Sequence, residues 1–314
     1  MPNAGPPRRQ PLPLSRIVTG LSSAHTGGPL IGRLRSALNA TLVVVLLGAL
    51  WEGYRALALA LGNTWPGTDA SLPIVVRGSG NAQTFPHLWD IVAAFGRPYR
   101  GGGETLGAFL LSGVAHTARE VAVGFVLGVF LGFLLGVLFR HSPLAERALM
   151  PYVVASQVVP FIAFAPILVV VFNQWQFLPS WSGVAVLSMY LVFFPVAINT
   201  VRGLRCAEAT AEELMRSYAV SSWTRLWKLR VPAALPHLFV GMKIGATAAV
   251  VGAIVGEISA PSSAGIGGAI FAFGRVSNNA VQLFATTAVA GLLGITAYLI
   301  IVGLERVALR SHGG

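Results

Sequence analysis

Residues 208–236 read EATAEELMRSYAVSSWTRLWKLRVPAALP, a charged and amphipathic stretch between long apolar segments. Thr210 is followed three residues later by Glu213, a spacing that predicts a capping box and therefore a short helix beginning there. Ser221 is expected to cap a second short helix that carries the tryptophans of the stretch. The pattern predicts two short helices joined by a sharp turn.

Two prolines mark where the apolar chain resumes. Pro232 is expected to end the second short helix, because proline lacks the N–H group that a helix interior uses. Pro236 is expected to stand in the first turn of the next helix, where that N–H group is not needed. Residues 204–236 therefore predict a helix–turn–helix lying on a membrane surface.

The spacing within this stretch resembles the cytoplasmic coupling motif of bacterial ABC-transporter importer permeases. That motif places Glu-Ala-Ala a fixed distance before Gly, and both before an aliphatic residue, any residue, Leu and Pro. Glu213 stands at the Glu position and Ala219 at the Gly position, while Leu214 and Met215 replace the alanines. The resemblance implies that a partner ATPase is contacted by Glu213, Leu214, Met215, Arg216, Tyr218, Ala219, Leu229 and Pro232.

The flanking sequence extends the resemblance over residues 106–310. Phe194–Pro195 and Asn199–Thr200 before the stretch, and Gly252–Glu257 after it, resemble the nitrate/sulfonate/taurine branch. Permeases for thiamine-precursor pyrimidines are similar too. The resemblance implies a permease for a small anion or a pyrimidine-like heteroaromatic, supplied by an extracytoplasmic solute-binding protein. One coupling stretch per chain and two ATPase subunits per motor imply a second permease chain, expected to form a homodimer.

Composition places the chain in a lipid bilayer. It is 54% hydrophobic and 11% charged, with a mean hydropathy of +0.71, whereas soluble domains carry about 25% charged residues. The net charge of +11 is interpreted as arising from basic residues that anchor the loops at the membrane. A nucleic-acid surface is disfavoured, because no basic run is interleaved with stacking aromatics. The single cysteine excludes a disulfide framework.

The apolar segments predict an all-α polytopic membrane protein with six transmembrane helices. Residues 1–36, rich in Pro, Gly, Ser and Arg, are predicted to be a disordered cytoplasmic tail. The first span is expected over 37–62, and residues 63–105 are expected to form an outer loop with an amphipathic helix over 86–95. The permease core is expected over 106–310.

The core supplies the other five spans. The second is expected over Val121–Phe139, whose glycines recur at every fourth position and predict close helix packing within one subunit. No charged residue occurs from 148 to 201, a length that suits two spans with a break near 173–181. The fifth and sixth spans are expected over Leu238–Glu257 and Ala280–Leu304, so the coupling stretch lies between spans four and five.

The distribution of Lys and Arg predicts the orientation. The tail, the 140–150 loop, the coupling stretch and the C-terminus carry 15 of these residues, and the opposite loops carry four. Since positive loops remain in the cytoplasm, both termini and the coupling stretch are predicted to be cytoplasmic, in a multi-pass protein of the bacterial inner membrane.

A few polar residues interrupt the apolar spans. The candidates for a solute pathway are Ser156, Gln157, Asn173, Asn199 and Glu257. Polar groups within a membrane are costly unless they face partners or water, so either a pathway or interhelical hydrogen bonds would explain the first four. Glu257, near the outer end of its span, either gates or contacts solute or is a capping or interface carboxylate.

The sequence lacks the motifs of other functions. It contains no phosphate-binding Gly-x-x-x-x-Gly-Lys-Ser/Thr loop and no Gly-x-Ser-x-Gly elbow, and its histidines are scattered. We therefore expect no catalytic residues, no metal and no cofactor, with ATP hydrolysis carried by a partner subunit. A secondary transporter or channel remains the alternative, although such a protein would need titratable groups near the midplane. A membrane enzyme is disfavoured because it would need carboxylates or histidines grouped on one side.

Overall fold

A computed structural model describes residues 29–61, 85–99, 103–158, 160–174, 178–259, 264–276 and 279–310. Within these ranges the regular structure is helical and no strand is formed. In chain order the elements are α1 (Pro29–Ala60), α2 (Leu88–Ala94), α3 (Leu106–His141), α4 (Pro143–Val158), α5 (Phe161–Gln174), α6 (Ser182–Arg205), α7 (Ala209–Ser217), α8 (Ser222–Arg225), a π-helical turn (Leu226–Arg230), α9 (Val231–Ser259), α10 (Ile266–Gly274) and α11 (Ala280–Arg310).

Five of the described helical segments are long and apolar enough to cross a membrane: α1 from Thr41, α3, α6, the continuous helix Ser222–Ser259, and α11. The predicted third span differs, because it is divided into α4 and α5, of 16 and 14 residues. Pro160, which cannot donate a helical hydrogen bond, lies between the two. Each is shorter than the roughly 20 residues of one span. The all-α polytopic fold is confirmed, but the count of six spans is not.

The N-terminal boundary also differs from the expectation. Helix α1 begins at Pro29, so residues 29–36 are helical rather than part of the predicted tail. Proline suits the first helical position, where its missing N–H group would have had no partner. Residues 1–28, which make up the rest of that tail, residue 62 of the predicted first span, and residues 63–84 and 100–102 of the predicted outer loop lie outside the described residues.

Close packing of α3 on α6 forms the centre of the molecule. A Cβ atom added to any glycine of the α3 stripe would come within 3.0 Å of an α6 atom, which applies to Gly124, Gly128, Gly132 and Gly136. The two backbones can approach this closely only because those side chains are absent. The prediction that the stripe packs inside one subunit is confirmed.

Helix α9 also packs against α6. The hydroxyl of Ser188 on α6 donates a hydrogen bond of 3.0 Å to the carbonyl of Ala249 on α9. Val192 and Val196 of α6 and Ala253 of α9 belong to one buried apolar cluster. Helices α3, α6 and α9 thus form a central layer. The predicted coupling stretch lies at the start of α9, and α10 follows the other end of α9.

Candidate functional site

Helix α7 is the first helix of the predicted coupling motif. It begins at Ala209, and its N-cap is Glu208, whose side chain makes no capping hydrogen bond. Thr210 therefore lies within the first turn, and the predicted capping box of Thr210 with Glu213 is wrong. The helix begins earlier than expected because the extended backbone of Glu208 already provides the N-cap geometry.

The turn after α7 is built around Ala219, which occupies the motif's Gly position. Its φ angle is +54°, the only positive φ at a non-glycine residue among the described positions. The Val220 N–H donates to the Met215 carbonyl at 3.0 Å, and the Ala219 N–H donates to the Arg216 carbonyl at 2.9 Å. These two bonds define a Schellman motif, in which the left-handed position usually holds glycine. Alanine therefore adopts a strained conformation here.

The second helix of the motif continues into α9, forming one helix long and apolar enough to cross a membrane. Ser221 caps α8 as predicted, since its Oγ accepts a hydrogen bond of 3.2 Å from the Thr224 N–H. The prediction that Pro232 ends this helix is wrong, because α8, the π turn and α9 are continuous over Ser222–Ser259. The wider π turn shifts the hydrogen-bond pattern just before Pro232, where proline removes a donor.

Several of the sequence-predicted coupling residues are exposed on α7 and its turn. Leu214 is 58% exposed and Tyr218 is 76% exposed, although both carry large apolar groups. Glu213, Arg216, Ala219 and Pro232 are also exposed, whereas Met215 and Leu229 are partly buried. We call the exposed side chains of Glu213, Leu214 and Tyr218 the α7 face. It combines a carboxylate with two apolar groups on a short helix outside the membrane spans.

The adjacent acid, Glu212, faces the opposite way and was missed by sequence reasoning. Its Oε1 lies 3.0 Å from Arg216 Nη2 on α7 and 3.7 Å from Arg140 Nη2 at the end of α3. The same oxygen also pairs with Arg230 of the π turn. Arg230, followed by Arg216, holds the pKa of the Glu212 carboxyl below its usual value. The four-residue spacing to Arg216 could have been found in the sequence, but the other two partners could not.

The candidate pathway residues do not form one cluster. Ser156 Oγ donates to the Val153 carbonyl of its own helix at 2.8 Å, and Asn199 Nδ2 donates to the Pro195 carbonyl of its own helix at 2.7 Å. Gln157 is exposed on α4. Asn173 lies in α5. The Tyr190 hydroxyl on α6 donates to the Ser156 carbonyl, so α4 and α6 approach each other at this residue.

Glu257 lies fully buried where α9 meets α10. Its Oε1 accepts a hydrogen bond of 2.7 Å from the Thr117 hydroxyl on α3, and its Oε2 accepts one from the Gly267 N–H in the first turn of α10. Glu120 of α3, only 1% exposed, lies in the same region and is 3.3 Å from His116 Nε2. The carboxylate of Glu257 thus caps a helix within the chain.

Comparisons with known proteins agree with this architecture. Residues 124–307 match the family of binding-protein-dependent transport system inner membrane components. The chain is 35% identical over 194 residues to the formylaminopyrimidine transport permease protein ThiX of Halalkalibacterium halodurans, covering 62% of this chain and 74% of that protein.

Two further relatives are named for different solutes. The chain is 32% identical to the putative aliphatic sulfonates transport permease protein SsuC of Bacillus subtilis, covering 47% of this chain and 51% of that protein. It is 29% identical to the nitrate import permease protein NrtB of Leptolyngbya laminosa, covering 52% of this chain and 55% of that protein. The family match extends over more than half of the chain. The chain therefore belongs to the binding-protein-dependent transport system inner membrane components, the membrane translocation subunits of ABC importers.

Proposed function

We propose that this permease passes a small solute across the bacterial inner membrane by moving with a pair of ATPase subunits attached to α7. The observation that carries this proposal is the α7 face. Leu214 and Tyr218 expose apolar surface on a short helix that lies outside the membrane spans. Exposed apolar groups beside a charge are typical of a surface that binds another protein.

The α7 face assigns separate roles to its residues. Leu214 and Tyr218 would enter an apolar groove of the ATPase, with Met215 packing behind them. Glu213 would make a polar contact with the ATPase; no ion pair to it is formed within the described part of the chain. Arg216 and Ala219 define the end and the turn of the helix, and Leu229 and Pro232 connect the motif to α9.

The proposed assembly contains two copies of this chain. One α7 per chain and two ATPase subunits per motor favour a homodimer with two ATPases, both termini on the cytoplasmic side and a solute-binding protein on the outer side. Helices α4 and α5 support this arrangement, because they expose apolar side chains for lipid or a second copy to cover, including Val158, Ile162, Ile167 and Val170.

The proposed solute is a small anion, such as a sulfonate or nitrate, or a pyrimidine-like heteroaromatic. The names of the relatives, which include formylaminopyrimidine, aliphatic sulfonates and nitrate, support this range. Ser156, Gln157, Asn173 and Asn199 are the candidates for contacts along the pathway. They are uncharged, so we assign the choice of solute to the binding protein. Glu257, which is bonded within the chain, is assigned to hold α10 rather than to contact solute.

The test is reconstitution of the permease with its ATPase in liposomes. We expect a complex of two permease chains and two ATPase chains, with solute uptake that requires ATP. Glu213→Ala should weaken ATPase attachment or uncouple hydrolysis from uptake. Glu208→Ala is the matched control, because Glu208 is exposed at the same helix and makes no capping bond. Full ATPase occupancy with normal coupling in Glu213→Ala would contradict the role assigned to Glu213. Uptake without any ATPase would favour a secondary transporter.

A further inference from the structure

Helix α7 has little apolar attachment to the rest of the molecule. None of its residues is buried. Within the described part of the chain, the ion pairs that join α7 to other elements all end on one carboxylate, that of Glu212. They lead to Arg140, at the end of α3, and to Arg230, in the π turn that continues into α9. The position of α7 therefore depends on a single acidic side chain.

The cluster around Glu212 is more shielded than an ordinary surface ion pair. The side chain of Arg230 is 7% exposed and that of Glu212 is 15% exposed, compared with 62% for Arg216. The Nε atoms of Arg140 and Arg230 are buried without a hydrogen-bond partner in the described structure. Because like charges repel strongly where water is excluded, the carboxylate is what allows these guanidinium groups to stay together.

The two adjacent acids point in different directions. Successive residues on a helix are separated by about 100° around its axis, so one of two neighbours can face the protein while the other faces away. Glu212 meets the arginines of α3 and the π turn, whereas Glu213 is exposed on the α7 face. A force applied to the α7 face would therefore reach the membrane helices through Glu212.

We infer that Glu212 is a positioning residue that fixes α7 to the ends of α3 and α9, so that a displacement of α7 moves both membrane helices together. This inference rests on the proposed function for its role in transport, but the attachment itself is a property of the permease alone. Helices α3 and α9 both pack on α6, so motion of their ends would be transmitted into the central layer.

The attachment can be measured without the ATPase. Cys206→Ser would remove the single cysteine, and spin labels at Ser217 and His141 would report the distance from the exposed end of α7 to the exposed end of α3. We expect a narrow distance distribution in the parent protein and in Glu213→Gln, and a broadened or shifted one in Glu212→Gln. A distribution in Glu212→Gln as narrow as in the parent, at the same distance, would overturn the inference.

Transport measurements then separate the inference from the proposed function. With ATPase in liposomes, Glu212→Gln should keep its ATPase but move less solute per ATP, whereas Glu213→Gln should weaken ATPase attachment. Arg230→Gln should reproduce the Glu212→Gln defect, and the double variant should be no worse than either single variant, because both remove the same pair. Additive losses would indicate general destabilisation and would contradict the positioning role. Failure of the unmodified permease to bind an ATPase would refute the proposed function only, and the label distances would still decide on Glu212.

Discussion

Thr117 and Glu257, 140 positions apart in the sequence, are joined by a hydrogen bond of 2.7 Å between the threonine hydroxyl and a carboxylate oxygen. The same hydroxyl accepts a hydrogen bond of 2.9 Å from the Ile266 N–H, and the other oxygen of Glu257 accepts one from the Gly267 N–H. Two side chains from α3 and α9 thus cap the first turn of α10. Thr117 and Glu257 are both 0% exposed, so their polar groups must find hydrogen-bond partners within the protein.

Thr117→Val should loosen α10. The substitution keeps the shape of the side chain but leaves the Ile266 N–H and one oxygen of Glu257 unsatisfied, which costs about 1–3 kcal/mol for each buried group. Hydrogen exchange over residues 266–274 should rise, and thermal stability in detergent should fall. Thr287→Val is the matched control, since that exposed hydroxyl bonds only the Leu283 carbonyl of its own helix. Equal exchange over 266–274 in both variants would contradict the capping role.

Gly128→Ala should separate α3 from α6. The added Cβ would lie 2.8 Å from Val192 Cγ1 and 2.9 Å from the Met189 carbonyl oxygen, so the helices must move apart. Overpacking of this kind costs about 1–3 kcal/mol. In the control Gly291→Ala on α11, the new Cβ meets no atom within 4 Å, and alanine's higher helix propensity favours no loss of stability. Unfolding of both purified variants in denaturing detergent measures the difference, and equal stabilities would argue against the close packing.

The glycine stripe illustrates how much of the packing can be predicted from the sequence. Its spacing of four residues predicts one smooth helix face and a close contact, and both follow from helix geometry alone. The identity of the partner helix could not be predicted, since α6 is separated from the stripe by α4 and α5. For the same reason the bond between Thr117 and Glu257 has no local signal.

The coupling stretch shows what could not be predicted from the sequence. The register of Glu213, Ala219 and Pro232 could be recognised from spacing, but helix boundaries could not. The prediction that Pro232 ends a helix is wrong because the rule that proline interrupts helices does not take account of the π turn that accommodates it. Glu212 and Glu213 are chemically identical in sequence, and only the packing of α7 on the ends of α3 and α9 distinguishes the inward acid from the outward one.

Membrane orientation is predicted by the charge asymmetry of the loops. In a Cys206→Ser background, a cysteine at Ser217 on α7 should be protected from a membrane-impermeant thiol reagent in intact cells. A cysteine at Arg275, exposed at the end of α10, should react from outside. Both positions should react after the cells are opened. Reaction of the Ser217 site in sealed cells would reverse the predicted topology.

Attachment of α7 should be lost at acidic pH. Because Arg230 lowers the pKa of the Glu212 carboxyl, the folded state binds its proton more weakly than the unfolded state. The stabilisation is therefore fully present above the usual glutamate pKa of about 4.3 and is lost as pH falls through the lowered value. The label distance from Ser217 to His141 should stay constant from about pH 5 to pH 8 and should broaden only at a pH below the usual glutamate pKa. Glu212→Gln should show the broad distribution at every pH, and a parent protein without any acid transition would contradict this linkage.

Ala219→Gly should stabilise the permease. Ala219 has a φ angle of +54°, where its Cβ costs about 1 kcal/mol, and glycine removes that cost while both hydrogen bonds of the Schellman motif remain. The larger entropy of glycine in the unfolded chain offsets part of the gain. The matched control is Ala211→Gly in the interior of α7, where glycine should destabilise by about 1 kcal/mol. Thermal unfolding and proteolysis at the turn compare the two variants, and transport should be retained in Ala219→Gly because the α7 face is unchanged. If the two glycine variants lose stability equally, the left-handed turn at Ala219 does not store the strain assigned to it.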